Sequence, residues 1–296
     1  MTVTAQLVKE LRERTGAGML DCKKALEATA GNVEEAITWL REKGITKAAK
    51  KSDRVAAEGL VGLVTKEDKT VIFEVNSETD FVAHNKQFLS LMTTIGETLL
   101  KNDPKTVEEA LQLSINGESL DNVIVHAIAT IGEKISLRRF RILSLASNQS
   151  LGVYLHSNQR IATVLVFVGS VDTTIGKQLA MHVSAMRPQF ISRNDISADF
   201  LASEKAILTA EAKNDPKNAG KPDNILEKMV DGRLNKQLAE ISLLDQTFVV
   251  NPDQKVADVI KAHNVSVTEM IRYEVGEGIA KEEVDFATEV MAQVRK

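Results

Sequence analysis

The sequence of 296 residues contains one cysteine, five prolines, one tryptophan and few aromatics of any kind, 4% of the total. A single cysteine, Cys22, excludes an intrachain disulfide and any multi-cysteine metal site, and it suits a reducing compartment. No apolar run approaches the roughly 20 residues a membrane span needs, so a soluble protein with no membrane partner is expected. Positive charge is not in excess either. Lys and Arg number 37 against 41 Asp and Glu, for a formal net charge of −4, which disfavours direct nucleic-acid binding and points to a protein partner. The amphipathic pattern starts within the first few residues and leaves no room for a signal or transit peptide, so the expected compartment is the cytoplasm.

Catalytic signatures are missing as well. There is no Gly-x4-Gly-Lys-Ser/Thr, and Gly276-Glu277-Gly278 lacks the lysine that a phosphate loop needs. His84, His126, His156, His182 and His263 share no metal-ligand spacing, and nothing pairs with Cys22 as a nucleophile would require. Acid pairs such as Glu282 and Glu283 read as solvated helix faces. No active site, cofactor or metal is expected.

What is present is pattern. Abundant Ala, Leu, Lys and Glu favour helix, and the length calls for two or three folding units. Three short helical stripes occupy residues 4–43: Leu7, Val8 and Leu11; Met19, Leu20 and Leu26; Val33, Ile37 and Leu40, with Trp39 alongside. Thr15-Gly16-Ala17-Gly18 and Ala30-Gly31-Asn32 separate them, with Asn32 as an N-cap and Glu35 as its capping-box partner. This reads as a compact three-helix module of the ubiquitin-associated (UBA) type, followed by a charged linker over residues 43–54. A hairpin follows, with strands at 59–64 and 70–75, then a long helix striped by Phe88, Met92, Ile95 and Leu99. A helix at 120–131 and an alternating strand at 135–143 complete this part.

The chain then repeats. Gly59, Val71 and Phe88 have counterparts at Gly152, Val164 and Met181, a constant offset of 93 residues, so two copies of one strand-strand-helix unit are predicted. Between Pro188 and Leu244, two helical patterns flank a run rich in Asn, Asp, Pro and Gly. They read as an inserted antiparallel helical hairpin whose apolar stripe could pack on itself or on a second copy of the chain. A strand at 270–275 and an amphipathic helix at 281–294 end the sequence. The fold class is α+β, mostly helical. The expected divisions are 1–54 (UBA-like module and linker), 55–143 (first core subdomain), 144–188 with 237–275 (second core subdomain), 189–236 (hairpin) and 276–296 (C-terminal helical module).

One junction stands out, Glu74-Val75-Asn76-Ser77-Glu78-Thr79-Asp80-Phe81-Val82, where hairpin passes into helix. Ser77 and Asp80 can cap that helix, and Asp80 complements its dipole. Phe81 has two readings: seven residues before Phe88, it could close the core, or it could be a contact with something else. The repeat favours contact, because the second copy carries Thr174 in its place, so the scaffold accepts a polar residue there.

Thr79-Asp80-Phe81-Val82 with its upstream residues, and the stretch from Leu11 to Leu26 containing Arg12, Met19, Leu20 and Cys22, resemble the two signatures of the translation elongation factor Ts family, and the resemblance extends over essentially the whole chain. It implies a guanine-nucleotide exchange factor that is not an enzyme, whose partner is the GTPase elongation factor Tu, GDP-bound and nucleotide-free. By the same resemblance Thr79, Asp80, Phe81 and Val82 enter the G domain and dislodge Mg²⁺. Arg12, Met19 and Leu20 touch the same domain, and His156 faces another. Leu20 stands where the family often has Met. Ser157 and Asn158 replace the usual glycines after His156. Behind Phe81-Val82-Ala83, His84 stands where the family commonly has a basic residue, which would make the tip contact mildly pH-sensitive. The competing reading is an adaptor or chaperone whose UBA-like module holds a peptide or a ribosomal partner.

Overall fold

The computed structural model describes residues 3–280. They form two units, one of residues 3–144, 157–161 and 273–280, the other of residues 145–156 and 162–272. The helix expected at 281–294, and with it most of the division at 276–296, lies outside the described residues.

The first unit opens with three helices, α1 (Ala5–Thr15), α2 (Met19–Ala28) and α3 (Val33–Ala49). Thr4 caps α1 and Gly16 ends it in the left-handed region. Asn32 caps α3 as expected, accepting from the amides of Glu34 and Glu35, but Glu35 accepts from the Asn32 side-chain amide and not from its backbone, so no capping box closes. Val8, Leu11, Cys22, Ala25, Leu26 and Ala36 form the core of these helices. The linker expected at 43–54 is half helix, because α3 continues to Ala49. Its charged side chains lie on a solvated face, whereas Gly44 is buried so close to a later helix that an added Cβ would stand 3.2 Å from the Cβ of Ala129. Lys47 pairs with Asp21 at 2.8 Å. A run of charge thus disguised one face of an amphipathic helix.

Next come β1 (Glu58–Lys66), β2 (Lys69–Ser77), the single turn α4 (Asp80–Ala83) and α5 (Lys86–Asn102). A small excursion, α6 (Val107–Leu111) with the two-residue strands β3 (Ser114–Ile115) and β4 (Glu118–Ser119), leads to α7 (Leu120–Ile131) and β5 (Ile135–Ser144). β2 is the centre of an antiparallel sheet of order β1-β2-β5. The predicted stripe Phe88, Met92, Ile95 and Leu99 is buried against this sheet together with Leu120, Ile124 and Ile128 of α7.

A carboxylate sits in the middle of β2. Glu74 is fully buried and accepts from Arg138 at 3.0 Å, Arg139 at 2.6 Å, the Asn76 side chain at 3.0 Å and the amide of Gly276 at 2.8 Å. Gly276 is at φ +74°, and an added Cβ would stand 2.2 Å from the carbonyl oxygen of Ala57, so only glycine brings that amide to the carboxylate. Burial alone would raise the Glu74 pKa. The Gly276 amide, Arg139, Arg138 and Asn76 outweigh it and hold the carboxyl below its ordinary value.

The second unit carries β6 (Gln149–Leu155), all but the first residue of β7 (Ile161–Val168), α8 (Thr173–Met186), the hairpin helices α9 (Ala198–Asn214) and α10 (Asp223–Ile241), α11 (Val256–Ala262) and all but the last two residues of β8 (Ser266–Glu274), with sheet order β6-β7-β8. The predicted repeat and hairpin are both present, with α10 running five residues past the expected boundary at 236. His182, on the buried face of α8, accepts the Val249 amide at Nδ1 (3.1 Å), which leaves Nε2 to donate to the Gln246 side chain (2.8 Å). This tautomer is neutral. Burial lowers the His182 pKa against a smaller opposing effect of Gln246.

Two stability predictions follow from these buried groups. Glu74→Gln is expected to cost about 3–5 kcal/mol in urea unfolding, because it leaves two guanidinium groups without their carboxylate. The wild-type contribution should be present above the ordinary carboxyl range and be lost as pH falls through the lowered folded pKa. For His182 the unfolded chain takes up a proton below about pH 6.5, where the folded site resists it, so stability should fall on acidification from about 6.5. Melts of wild type and His182→Gln across pH 5–7.5 check this, with the slope flattened in the variant.

Candidate functional site

At the outlet of β2, three consecutive residues are pinned before the chain turns into α4. Ser77 donates its hydroxyl to the Thr79 carbonyl at 2.9 Å. Glu78 accepts the Lys134 amide at 2.6 Å and pairs with Arg54 at 3.1 Å. Thr79 donates both its amide (2.9 Å) and its hydroxyl (2.6 Å) to the two oxygens of Glu133. Neither Ser77 nor Asp80 caps the long helix, contrary to the sequence expectation. Thr79 is the N-cap of α4 and makes no side-chain cap bond. Asn85 caps α5, accepting the Gln87 amide at 2.8 Å.

The break at residues 84–85 decides the orientation of Phe81. Since α4 and α5 are separate helices, the seven-residue spacing to Phe88 does not carry the ring inward, and Phe81 is 83% exposed beside exposed Asp80. The core reading of Phe81 is therefore wrong. Val82, expected in the contact, is 6% exposed and packs in the core with Ala83. It anchors the turn and does not present itself. His84 is exposed at the end of α4. In the second copy, α8 runs without a break from an Asp172 cap that accepts the Thr174 and Ile175 amides, and Thr174 is exposed.

Arg12 is exposed in the last turn of α1, and Met19 (55%) and Leu20 (74%) stand out at the start of α2. The loop before them abuts α5: a Cβ on Gly16 would lie 3.1 Å from the Gln87 side chain. Two residues further along α5, and so on another face of that helix, Leu89 is also exposed at 39%. His156 belongs to the second unit, half-buried and edge-on to Tyr154 with ring centroids 6.0 Å apart. Sequence reasoning missed Leu89, although its place beside the Phe88 stripe marks it as outward. It also missed Glu133, for which a single sequence holds no signal, because its partner lies 54 residues away.

Nothing near the tip resembles a reaction centre. Cys22 is buried, its thiol donates to the Ala17 carbonyl at 3.6 Å, and burial raises its pKa. Among the described residues no group of three or more His, Cys, Asp or Glu could hold a metal ion, and no helix is long and apolar enough to cross a membrane. A cleft of about 460 Å³ opens beside α2, α3 and α7 with cationic residues Arg14, Lys24, Lys43 and Lys50 around it, and no tip residue lines it. The tip thus presents an exposed acid–aromatic pair on a turn held by Thr79 and Val82, a surface of the kind that protein-interaction modules use. The family described as Elongation factor TS matches residues 78–277, and Elongation factor Ts of Spiroplasma citri is 82% identical over 296 residues, covering all of both chains. This chain belongs to the elongation factor Ts family.

Adjacent residues should separate fold from contact. Phe81→Ala is expected to change stability by less than about 0.5 kcal/mol, as at other exposed sites, whereas Val82→Ala should cost on the order of 1–2 kcal/mol from a lost core side chain. Parallel thermal melts of the two variants test the assignment.

Proposed function

We propose that the Asp80–Phe81 tip is the part of this chain that opens the nucleotide site of elongation factor Tu. As a member of its family the chain is the guanine-nucleotide exchange factor of that GTPase and is not itself an enzyme. In this reading it works in the cytoplasm, binds the GDP form, and holds the nucleotide-free form until GTP enters. The carrying observation is Phe81, a large apolar ring held in water beside an acid, on a turn anchored from below by Val82 and from behind by Thr79.

A GTPase grips GDP through phosphate contacts and a bridging Mg²⁺, so a wedge that shifts the residues supporting the metal removes a large electrostatic attraction. Accelerating release ~10⁴-fold corresponds to lowering the barrier by roughly 5.5 kcal/mol. Linkage requires the reverse effect too: nucleotide weakens the hold of the exchange factor, and incoming GTP ejects it. Arg12, Met19 and Leu20, on helices that this reading assigns to a UBA-like module, meet the same G domain, and exposed Met19 and Leu20 support that role. His156 meets a second domain of the partner. On the hairpin, exposed Ile207 and Ile225 support a surface for a second copy of the chain, a point that sedimentation decides.

The test is stopped-flow release of fluorescent GDP from elongation factor Tu. Wild type should accelerate release strongly, and Asp80→Ala and Phe81→Ala should each lose on the order of tenfold or more of that gain with unchanged melting. A wild type that leaves the release rate unaltered would refute the reading.

A further inference from the structure

We infer that Glu133, in the turn between α7 and β5, is a positioning residue of the exchange tip. The inference rests on the function proposed above. In the second copy of the repeat the helix start is organised locally, by Asp172 accepting the amides of Thr174 and Ile175. The first copy has Thr79 at that position, and its hydroxyl caps nothing in its own helix. Instead the amide and hydroxyl of Thr79 converge on one carboxylate from a different element, at 2.9 and 2.6 Å. The neighbouring amide of Lys134 holds Glu78 at 2.6 Å, and the Lys134 ammonium donates to the carbonyls of Ser52 (2.6 Å) and Arg54 (2.9 Å).

The physical consequence is directional. A four-residue helix without a side-chain cap has little order of its own, yet Asp80 and Phe81 must be held at a fixed angle to act as a wedge. Two hydrogen bonds to one carboxylate fix the Glu78–Thr79 peptide plane and the Thr79 side chain, with the strength of charge-assisted bonds, while the Ser77 hydroxyl holds the Thr79 carbonyl of the peptide that leads into Asp80. The exchange of a local cap for a tertiary clamp distinguishes the copy that presents an aromatic from the copy that presents Thr174. Glu133 therefore acts through Thr79: it orders the wedge before the partner arrives, so that binding does not have to.

The experiment is GDP release from elongation factor Tu over a range of concentrations of the full chain, for wild type, Glu133→Gln, Glu133→Ala, Thr79→Val and the Glu133→Ala/Thr79→Val double variant. Glu133→Ala is expected to lower the saturating rate about tenfold while the half-saturating concentration stays within about threefold. Glu133→Gln, which keeps the shape and one acceptor oxygen, should fall between it and wild type and covers the case in which alanine disturbs the fold. The double variant should be no slower than Glu133→Ala alone, because both remove the same contact. Additive losses, or a saturating rate equal to wild type in Glu133→Ala and Glu133→Gln, overturn the clamp and leave the exchange reading intact. A wild-type chain without effect on GDP release removes that reading itself.

Discussion

The buried carboxylate of Glu74 is the constraint on which the first unit depends. A charge at the centre of a sheet is tolerated only when its oxygens are filled by donors, and here those donors come from three places: Asn76 on the same strand, Arg138 and Arg139 on β5, and the amide of Gly276. The arginines extend the network. Arg139 donates to the carbonyl of Glu274 and pairs with Glu277, and its guanidinium lies 4.2 Å from the centroid of the Tyr273 ring. One acid therefore sets the pairing of β2 with β5, at the place where the register between them shifts, and fixes the returning segment 273–277. The same stretch of chain that supplies the arginines begins with Glu133 and Lys134. Residues 133–139 thus grip β2 in its middle and again at its outlet, and the exposed tip inherits its position from the sheet's electrostatics.

Periodicity made much of this legible in advance. The three N-terminal helices, the hairpin, the Phe88 stripe and the inserted helical pair each carry a pattern that repeats often enough to be read from one sequence. The repeat identified Phe81 as expendable to the scaffold. What escaped was either short or tertiary. The one-turn α4 and the five-residue α6 hold too few residues for a period, so the break at residues 84–85 was invisible, and with it the burial of Val82 beside an exposed Phe81. Residues 43–49 looked like linker because the face that buries Gly44 is masked by lysines on the others. Gly276-Glu277-Gly278 read as an incomplete phosphate loop, whereas its first glycine is required by the approach to Ala57 and by the bond to Glu74.

The two copies of the strand-strand-helix unit show how a duplicated scaffold divides its tasks. In the second, Asp172 closes the helix start with its own side chain, α8 runs unbroken, and a polar residue faces out. In the first, the helix is cut at its first turn, and a short piece of backbone is freed from helical register to present an acid and a ring. The cost of that cut falls on neighbours: Asn85 restarts the helix, and the carboxylate of Glu133 holds the amide and hydroxyl of the N-cap residue Thr79. Local rules of helix initiation fail at the turn proposed to make the exchange contact, as expected where function competes with local preference.

The chain order of the first unit has a consequence for how the protein is made. Its central acid lies at residue 74 and one of its donors 202 positions later, with the whole of the second unit between them. During synthesis the N-terminal strands leave the ribosome while the amide they need is still untranslated, and a contact of such long range forms late. Residues 162–272 can fold before the unit that begins the chain is complete. A chain truncated shortly before Gly276 would carry every residue of the tip on a sheet whose buried charge lacks one of its donors.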